Sequence, residues 1–86
     1  MADSVMDAMR RTLFSGYIAE GEEVRHLTSL VSEFIGNPRT VLVNSGTSAL
    51  TIAYRLAGVG IGMEVITTPL TSVAANEPIL ALGGTP

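Results

Sequence analysis

The spacing of apolar residues predicts two helices in the first part of the chain. In residues 3–14 the apolar side chains gather on one side, and Ser15-Gly16 then breaks the pattern. Residues 22–35 carry the clearest helical repeat, with acidic Glu22 and Glu23 in the first turn, where the helix dipole favours anions. Gly36, followed by Asn37-Pro38, predicts the end of this second helix.

The hydrophobic period changes after Pro38. Residues 40–43 form a short, β-branched and apolar run that is typical of a strand buried on both faces. Residues 49–57 are apolar around most of a helical circumference, which predicts a buried helix. A second strand is predicted at 63–67 and a last helix at about 72–82, where Pro78 either kinks the helix or opens a shorter one.

This element order, α-α-β-α-β-α, predicts an α/β fold. A strand, a helix and a second strand within a short stretch form a βαβ unit, whose strands are parallel and joined by a right-handed crossover. We expect an N-terminal helical segment at 1–38 and a βαβα segment at 39–86. Two parallel strands do not make a stable sheet, so we expect the sheet to be incomplete.

Composition excludes several kinds of chemistry. The 86 residues include no Cys and one His, which excludes disulfides and zinc-finger-type metal sites. All five basic residues are arginines, so a Walker-type phosphate loop and a Schiff-base lysine are absent. A net charge of −3 argues against nucleic-acid binding. No signal peptide or membrane span is recognisable, and we expect a cytoplasmic protein.

The balance of apolar and charged residues is unusual for a small domain. Hydrophobic residues make up 47% of the chain and charged residues 15%, too apolar for a small free-standing domain with a solvated surface. The chain is expected to be an obligate oligomer or a piece of a larger protein. The turn residues at 83–86 favour the second expectation.

The sharpest motif lies between the first predicted strand and its helix. It reads Asn44-Ser45-Gly46-Thr47-Ser48. Free N–H groups at a helix start, together with small residues and hydroxyls, make a phosphate cradle that needs no lysine. The alternative is that Ser45 or Asn44 only caps the helix. The residues alone leave both interpretations open.

Two further segments contain residue types that are found in binding sites. The hydroxyl-rich run 67–72 follows the second predicted strand, and ligands in parallel sheets gather at that edge. It is therefore either part of a polar pocket or an ordinary turn. The glycine-rich run 58–62 follows a helix and precedes a strand, which is the wrong context for a dinucleotide fingerprint and predicts a turn.

The whole sequence resembles the N-terminal part of the DegT/DnrJ/EryC1/StrS family, nucleotide-sugar aminotransferases of fold type I. The resemblance follows the family order over nearly all 86 residues. Its most specific elements are the runs Ser45-Gly46-Thr47-Ser48-Ala49-Leu50 and Gly62-Met63-Glu64-Val65-Ile66-Thr67-Thr68-Pro69.

The resemblance implies a pyridoxal 5′-phosphate enzyme. Such enzymes move an amino group, usually from glutamate, to a nucleotide-linked keto-sugar, and they are homodimers with shared active sites. Gly46, Thr47 and Ser48 match the residues that hold the cofactor phosphate. Gly16 and Tyr17 match a substrate-binding segment. Ser72 stands where many members carry the aromatic residue that stacks on the cofactor ring.

The family's lysine and the carboxylate that pairs with the pyridine nitrogen match nothing here, and the resemblance places them beyond Pro86. The 86 residues are about a quarter of such an enzyme and contain no residue assigned to catalysis. We therefore expect this chain alone to be inactive. Two alternatives are a non-catalytic α/β module that pairs with itself or a partner, and an unrelated βαβ anion-binding domain.

Overall fold

Helices account for the regular secondary structure of residues 3–86, the part of the chain that this computed structural model describes. Helix α1 covers Asp3–Phe14, α2 Glu22–Ile35, α3 Gly46–Leu56 and α4 Val73–Ala81. The chain divides into two units, one that ends at Leu42 and one that covers Val43–Pro86.

The two helices of the first unit confirm the predictions made from periodicity. Helix α1 is followed by a turn in which the Ser15 N–H donates to the carbonyl of Arg11 at 3.0 Å. At the end of α2, Gly36 adopts a left-handed conformation (φ 75°) and its N–H donates to the carbonyls of Ser32 and Glu33. A residue without a Cβ reaches this conformation without steric cost, so the helix ends there.

Helix α3 begins three residues earlier than predicted. The expected range was 49–57, whereas the helix covers Gly46–Leu56. Ser45 is its N-cap, and its side chain accepts a hydrogen bond from the N–H of Ser48. The hydroxyl-rich motif therefore forms the cap and the first turn of the helix itself.

Helix α4 passes through Pro78 without a break. It is one continuous helix over Val73–Ala81, so Pro78 does not open a separate, shorter helix. A proline inside a helix has no N–H to donate to the carbonyl four residues earlier and crowds it. In the same stretch, the carbonyl of Ala75 accepts a hydrogen bond from the Tyr54 hydroxyl of α3 at 3.0 Å. This bond joins α3 to α4 one residue after Ala74, whose carbonyl is the one that Pro78 leaves without its usual helical donor.

The prediction of an α/β fold with a parallel βαβ unit is wrong. Residues 3–86 contain no strand, and their β structure is one isolated parallel bridge between Glu64 and Thr85. In that bridge the Val65 N–H donates to the Thr85 carbonyl at 2.9 Å, and the Thr85 N–H donates to the Met63 carbonyl at 2.8 Å. Of the residues predicted to form the second strand, Met63, Glu64 and Val65 take part in this bridge with Thr85.

The physical reason is that a strand needs a partner for its backbone groups, whereas a helix finds its partners within itself. Among residues 3–86, the backbone groups of residues 40–43 have no such partner. Val41 is 78% exposed and Ile66 is completely exposed, while Leu42 and Val65 are half-buried. The expectation that residues 40–43 form a strand buried on both faces is therefore wrong.

A small core lies in the unit Val43–Pro86. Ile79 is fully buried, Pro78 is nearly so, and Val59 is 8% exposed. Gly84 is also buried, and a Cβ added to it would lie 3.0 Å from Val59 Cγ1 and 3.1 Å from Ile79 Cγ2. Helices α3 and α4 pack against each other around these residues. Helix α3 itself has no buried residue, so the prediction of a buried helix at 49–57 is wrong.

The glycine-rich run 58–62 is the turn that the sequence context predicted. It connects α3 to the bridge at Glu64, and its first and last glycines have positive φ angles of 91° and 80°. Within residues 3–86, no helix has the length and apolar character that crossing a membrane requires.

Candidate functional site

The start of α3 is organised by three hydrogen bonds between small polar residues. The N–H of Ser48 donates to Ser45 Oγ at 3.1 Å, and the Ser45 hydroxyl donates to Ser48 Oγ at 2.9 Å. The Ser48 hydroxyl in turn donates to Asn44 Oδ1 at 2.8 Å. The capping interpretation is therefore confirmed for Ser45, and the hydroxyl of Ser48 is oriented by Asn44.

Two backbone donors remain free in this first turn. Among the described residues, the N–H groups of Gly46 and Thr47 have no hydrogen-bond partner. Helix starts leave such groups unsatisfied, and the helix dipole makes the region positive. No acidic residue stands in the first turn of α3 to compete for them. A Cβ placed on Gly46 would meet no atom within 4 Å, so the space beside its Cα is open.

The turn can therefore bind an anion while its cap stays intact. The cap uses the N–H of Ser48, and the N–H groups of Gly46 and Thr47 are the ones available to a ligand. Backbone N–H groups at a helix start suit phosphate oxygens, which accept several hydrogen bonds. The cap and the cradle thus use different groups of the same turn, and one does not exclude the other.

The loop 67–72 leads into α4 and uses its hydroxyls for local hydrogen bonds. Ser72 is the N-cap of α4, and its Oγ accepts from the N–H of Ala74 at 3.4 Å. Thr68 Oγ1 accepts from the N–H of Leu70 at 3.2 Å. These contacts are those of a turn. No hydrogen bond in the described part of the chain joins this loop to the turn at 44–48.

One contact of this loop reaches further. The Thr67 hydroxyl donates to Asn76 Oδ1 in α4 at 2.6 Å. Both residues line an open cleft of about 580 Å³ in the unit Val43–Pro86, together with Thr85. Sequence reasoning missed Asn76. The available signal was its place one helical turn after the cap at Ser72, on the side of the helix that continues from the loop.

Gly16 and Tyr17 lie in the other unit. Gly16 has a positive φ of 75° directly after α1, where a residue without a Cβ ends the helix readily. The side chain of Tyr17 is exposed, and its N–H donates to Ser15 Oγ at 3.1 Å. A Cβ on Gly21 would lie 3.3 Å from Tyr17 Cδ1, so a larger residue at this position would crowd the ring.

Tyr17 borders a cavity of about 490 Å³ between α1 and α2. Charged side chains of both signs line it, among them Arg11, Glu23 and Arg25. Arg11 and Glu23 form an ion pair at 3.8 Å, with both side chains largely exposed. The cavity offers an aromatic ring beside charged groups, which is suited to a polar ligand with a planar part.

Comparison with known proteins places these features in a family. The model of the DegT/DnrJ/EryC1/StrS aminotransferase family matches residues 1–86. The chain is 40% identical over 75 residues to the spore coat polysaccharide biosynthesis protein SpsC of Bacillus subtilis, covering 87% of this chain and 19% of that protein. It is 36% identical over 84 residues to the UDP-2-acetamido-2-deoxy-3-oxo-D-glucuronate aminotransferase of Pseudomonas aeruginosa, covering 98% of this chain and 23% of that enzyme.

The chain spans about a fifth of the length of these relatives. The family match covers residues 1–86, from the first residue of the sequence to the last. One of the two most specific runs of the resemblance, residues 45–50, forms the start of α3. The chain belongs to the DegT/DnrJ/EryC1/StrS aminotransferase family.

Proposed function

We propose that this chain supplies part of the cofactor phosphate site of a pyridoxal-phosphate-dependent aminotransferase that acts on a nucleotide-linked keto-sugar. The observation that carries the proposal is the start of α3, where two backbone N–H groups are free and no carboxylate competes. Family membership supports the reaction class. The Pseudomonas aeruginosa relative is named as an aminotransferase of a UDP-linked oxo-sugar acid, which supports the substrate class.

The residues present fit a phosphate group. The N–H groups of Gly46 and Thr47 would donate to phosphate oxygens, and the Thr47 hydroxyl would add a donor at the same turn. The Ser48 hydroxyl, which donates to Asn44 Oδ1, would have to turn away from Asn44 to donate to the phosphate. Asn44 accepts a hydrogen bond from the Ser48 hydroxyl and orients it, and Ser45 caps the helix by accepting from the Ser48 N–H. When bound, pyridoxal phosphate carries the amino group and acts as an electron sink for the reacting carbon.

The remaining assignments follow the same proposal. Ser72 lies beside the cofactor ring, where its small side chain offers a hydroxyl instead of an aromatic face. Gly16 and Tyr17 belong to the substrate site, with the exposed Tyr17 ring as the binding surface. Glutamate is the amino donor, and the enzyme is a homodimer. All five basic residues are arginines, so these 86 residues transfer no amino group by themselves.

The experiment is an amide NMR titration of the ¹⁵N-labelled chain with pyridoxamine 5′-phosphate. This probe has no aldehyde and cannot react with the N-terminal amine. We expect chemical-shift changes centred on Gly46, Thr47 and Ser48, and none at these residues with pyridoxamine, which lacks the phosphate. Changes centred on Arg11 and Arg25 instead would overturn the assignment of the phosphate site.

A matched pair of variants at Gly46 tests the N–H group directly. Gly46 is the first residue of α3 and follows an extended Ser45 (φ −159°, ψ 157°), so a proline is compatible with both positions. Gly46→Pro removes one free donor and keeps the helix, and we expect affinity for the phosphate to fall about tenfold. Gly46→Ala keeps the N–H and meets no atom within 4 Å, so its affinity is expected to be unchanged.

A second candidate function is that of a non-catalytic binding module, which the exposed apolar side chains favour. Phe34, Ile61 and Leu70 are each more than 90% exposed, and exposed apolar patches mark interaction surfaces. If this function is correct, the chain self-associates, and neither Gly46→Pro nor Gly46→Ala changes the degree of self-association. Sedimentation of the chain with and without pyridoxamine phosphate separates it from the first proposal.

A further inference from the structure

The loop that leads into α4 is tied to the helix at two places. At its end, Ser72 caps α4 through the N–H of Ala74. At its beginning, the Thr67 hydroxyl donates to Asn76 Oδ1 at 2.6 Å. The second bond spans nine residues and is the longest-range side-chain hydrogen bond of this loop. Together the two ties close residues 67–72 into a ring with the first turn of α4.

The tie at Asn76 limits the conformations of the loop more than the others do. The bond at Thr68 and the cap at Ser72 join residues two apart and restrict only their own turns. Closing a longer segment removes more conformational freedom, because all the residues between its ends become restricted. Without the bond from Thr67 to Asn76, the segment that precedes Ser72 keeps only its local contacts.

We infer that Asn76 is a positioning residue for the cofactor ring. It acts through Thr67 to hold the loop that presents Ser72, and it leaves the phosphate turn at the start of α3 untouched. This inference rests on the proposed function, in which Ser72 lies beside the ring. It assigns a role to a residue in α4 that neither the family match nor the sequence pattern singles out.

The test compares two probes on the full 86-residue chain. Inorganic phosphate reports on the turn at 46–48 alone, whereas pyridoxamine 5′-phosphate reports on that turn and the ring position together. We expect Thr67→Val and Asn76→Ala each to weaken pyridoxamine phosphate about fivefold, the effect of one hydrogen bond, and to leave phosphate affinity unchanged. Thr67→Ser keeps the hydroxyl and is expected to restore the affinity.

Two further measurements separate positioning from a general loss of structure. Thr71→Val makes the same chemical change in the same loop, at a hydroxyl without a hydrogen bond in residues 3–86, and is expected to have no effect on either probe. The double variant of Thr67 and Asn76 is expected to lose no more than either single variant, because both remove the same bond. The Ser72 amide resonance of the free chain is expected to shift in Thr67→Val and to return in Thr67→Ser.

The outcomes are distinct. If the wild-type chain binds neither probe, the proposed phosphate site fails, and the positioning role fails with it. If the wild-type chain binds both probes but Thr67→Val and Asn76→Ala leave the ratio of the two affinities unchanged, only the positioning role is overturned. Equal losses for phosphate and pyridoxamine phosphate would show a loss of structure and would also overturn it.

Discussion

The unit that ends at Leu42 and the unit Val43–Pro86 each contain two helices, but only the second buries side chains. Its buried residues are Val59, Pro78, Ile79 and Gly84. Among residues 4–42 no side chain is buried. In this range and outside the regular helical hydrogen bonds, the bond between the residues farthest apart in sequence runs from the Asn37 N–H to the Ser32 carbonyl, five residues earlier. In the second unit, by contrast, bonds such as that from Tyr54 to Ala75 join separate helices.

This difference indicates that the unit Val43–Pro86 has the larger free energy of folding. Burial of apolar surface is the main favourable term, and local hydrogen bonds by themselves support short helices only marginally in water. We expect the amides of α3 and α4 to exchange with solvent more slowly than those of α1 and α2. The candidate phosphate turn belongs to the better-supported unit, and Tyr17 belongs to the other.

The largest expected effect comes from truncating Ile79, whose side chain is fully buried in the core. Ile79→Ala removes three carbons from a site with no solvent exposure, and we expect a loss of about 2–5 kcal/mol, because a cavity is left behind. Amide exchange in α4 measures it. The control is Leu80→Ala, next along the same helix and 61% exposed, with an expected change within about 0.5 kcal/mol. Equal effects of the two variants would refute the core described above.

A smaller loss is expected from overfilling the same core. Gly84→Ala places a Cβ 3.0 Å from Val59 Cγ1 and 3.3 Å from the Ile79 carbonyl, which we expect to cost about 1–3 kcal/mol through forced shifts of the neighbours. Thermal unfolding followed by circular dichroism provides the measurement. Gly60→Ala, whose nearest contact would be Arg55 Nη1 at 3.7 Å, is expected to be tolerated. A stabilised Gly84→Ala variant would contradict the tight packing.

Removing the hydroxyl that joins α3 to α4 has a moderate expected effect. Tyr54→Phe leaves the Ala75 carbonyl without this donor, and we expect a loss of about 1 kcal/mol. Backbone amides of the unit Val43–Pro86 should then exchange faster with solvent, and those of α1 and α2 should be unchanged. Tyr17→Phe is the matched control for stability, because the described contacts of Tyr17 include no hydrogen bond from its hydroxyl. A response in α1 and α2 instead would show that the two units do not differ in the way described.

The smallest effect is expected at the ion pair of the first unit. Arg11 and Glu23 are 3.8 Å apart, and their side chains are 69% and 51% exposed. Exposed pairs contribute little, so Arg11→Ala is expected to change stability by no more than about 0.5 kcal/mol. The helical signal at low and at high salt checks this, because screening removes whatever the pair contributes. A large loss that disappears in salt would show that this unit depends on its charges.

Sequence reasoning succeeded where the determining contacts are local. The ends of α1 and α2 followed from Ser15-Gly16 and from Gly36, because each helix forms its hydrogen bonds within a few residues. The start of α3 was placed three residues too late. Ser45 and Asn44 were the two candidate caps at this helix start, and the hydrogen bond from the N–H of Ser48 identifies Ser45 as the cap.

The candidate site divides in the same way. The turn at Gly46, Thr47 and Ser48 is visible in the sequence because a helix start and its cap are consecutive residues. Asn76 was not visible as a partner of Thr67, because the bond depends on how the loop 67–72 returns to α4. The family resemblance supplied the cofactor and substrate class, which no spacing in the chain could supply.

By itself the sequence determined the helices, most of their ends and the residues that gather at the start of α3, because these depend on bonds between near neighbours. Only the tertiary structure decided that Thr85 pairs beside Glu64, that Ile79 becomes the centre of the core and that Tyr54 supports α4 at Ala75. Each of these joins segments far apart in the chain. β pairing and burial depend on which segments meet in the folded chain, and the sequence of a short apolar run does not show which segment that will be.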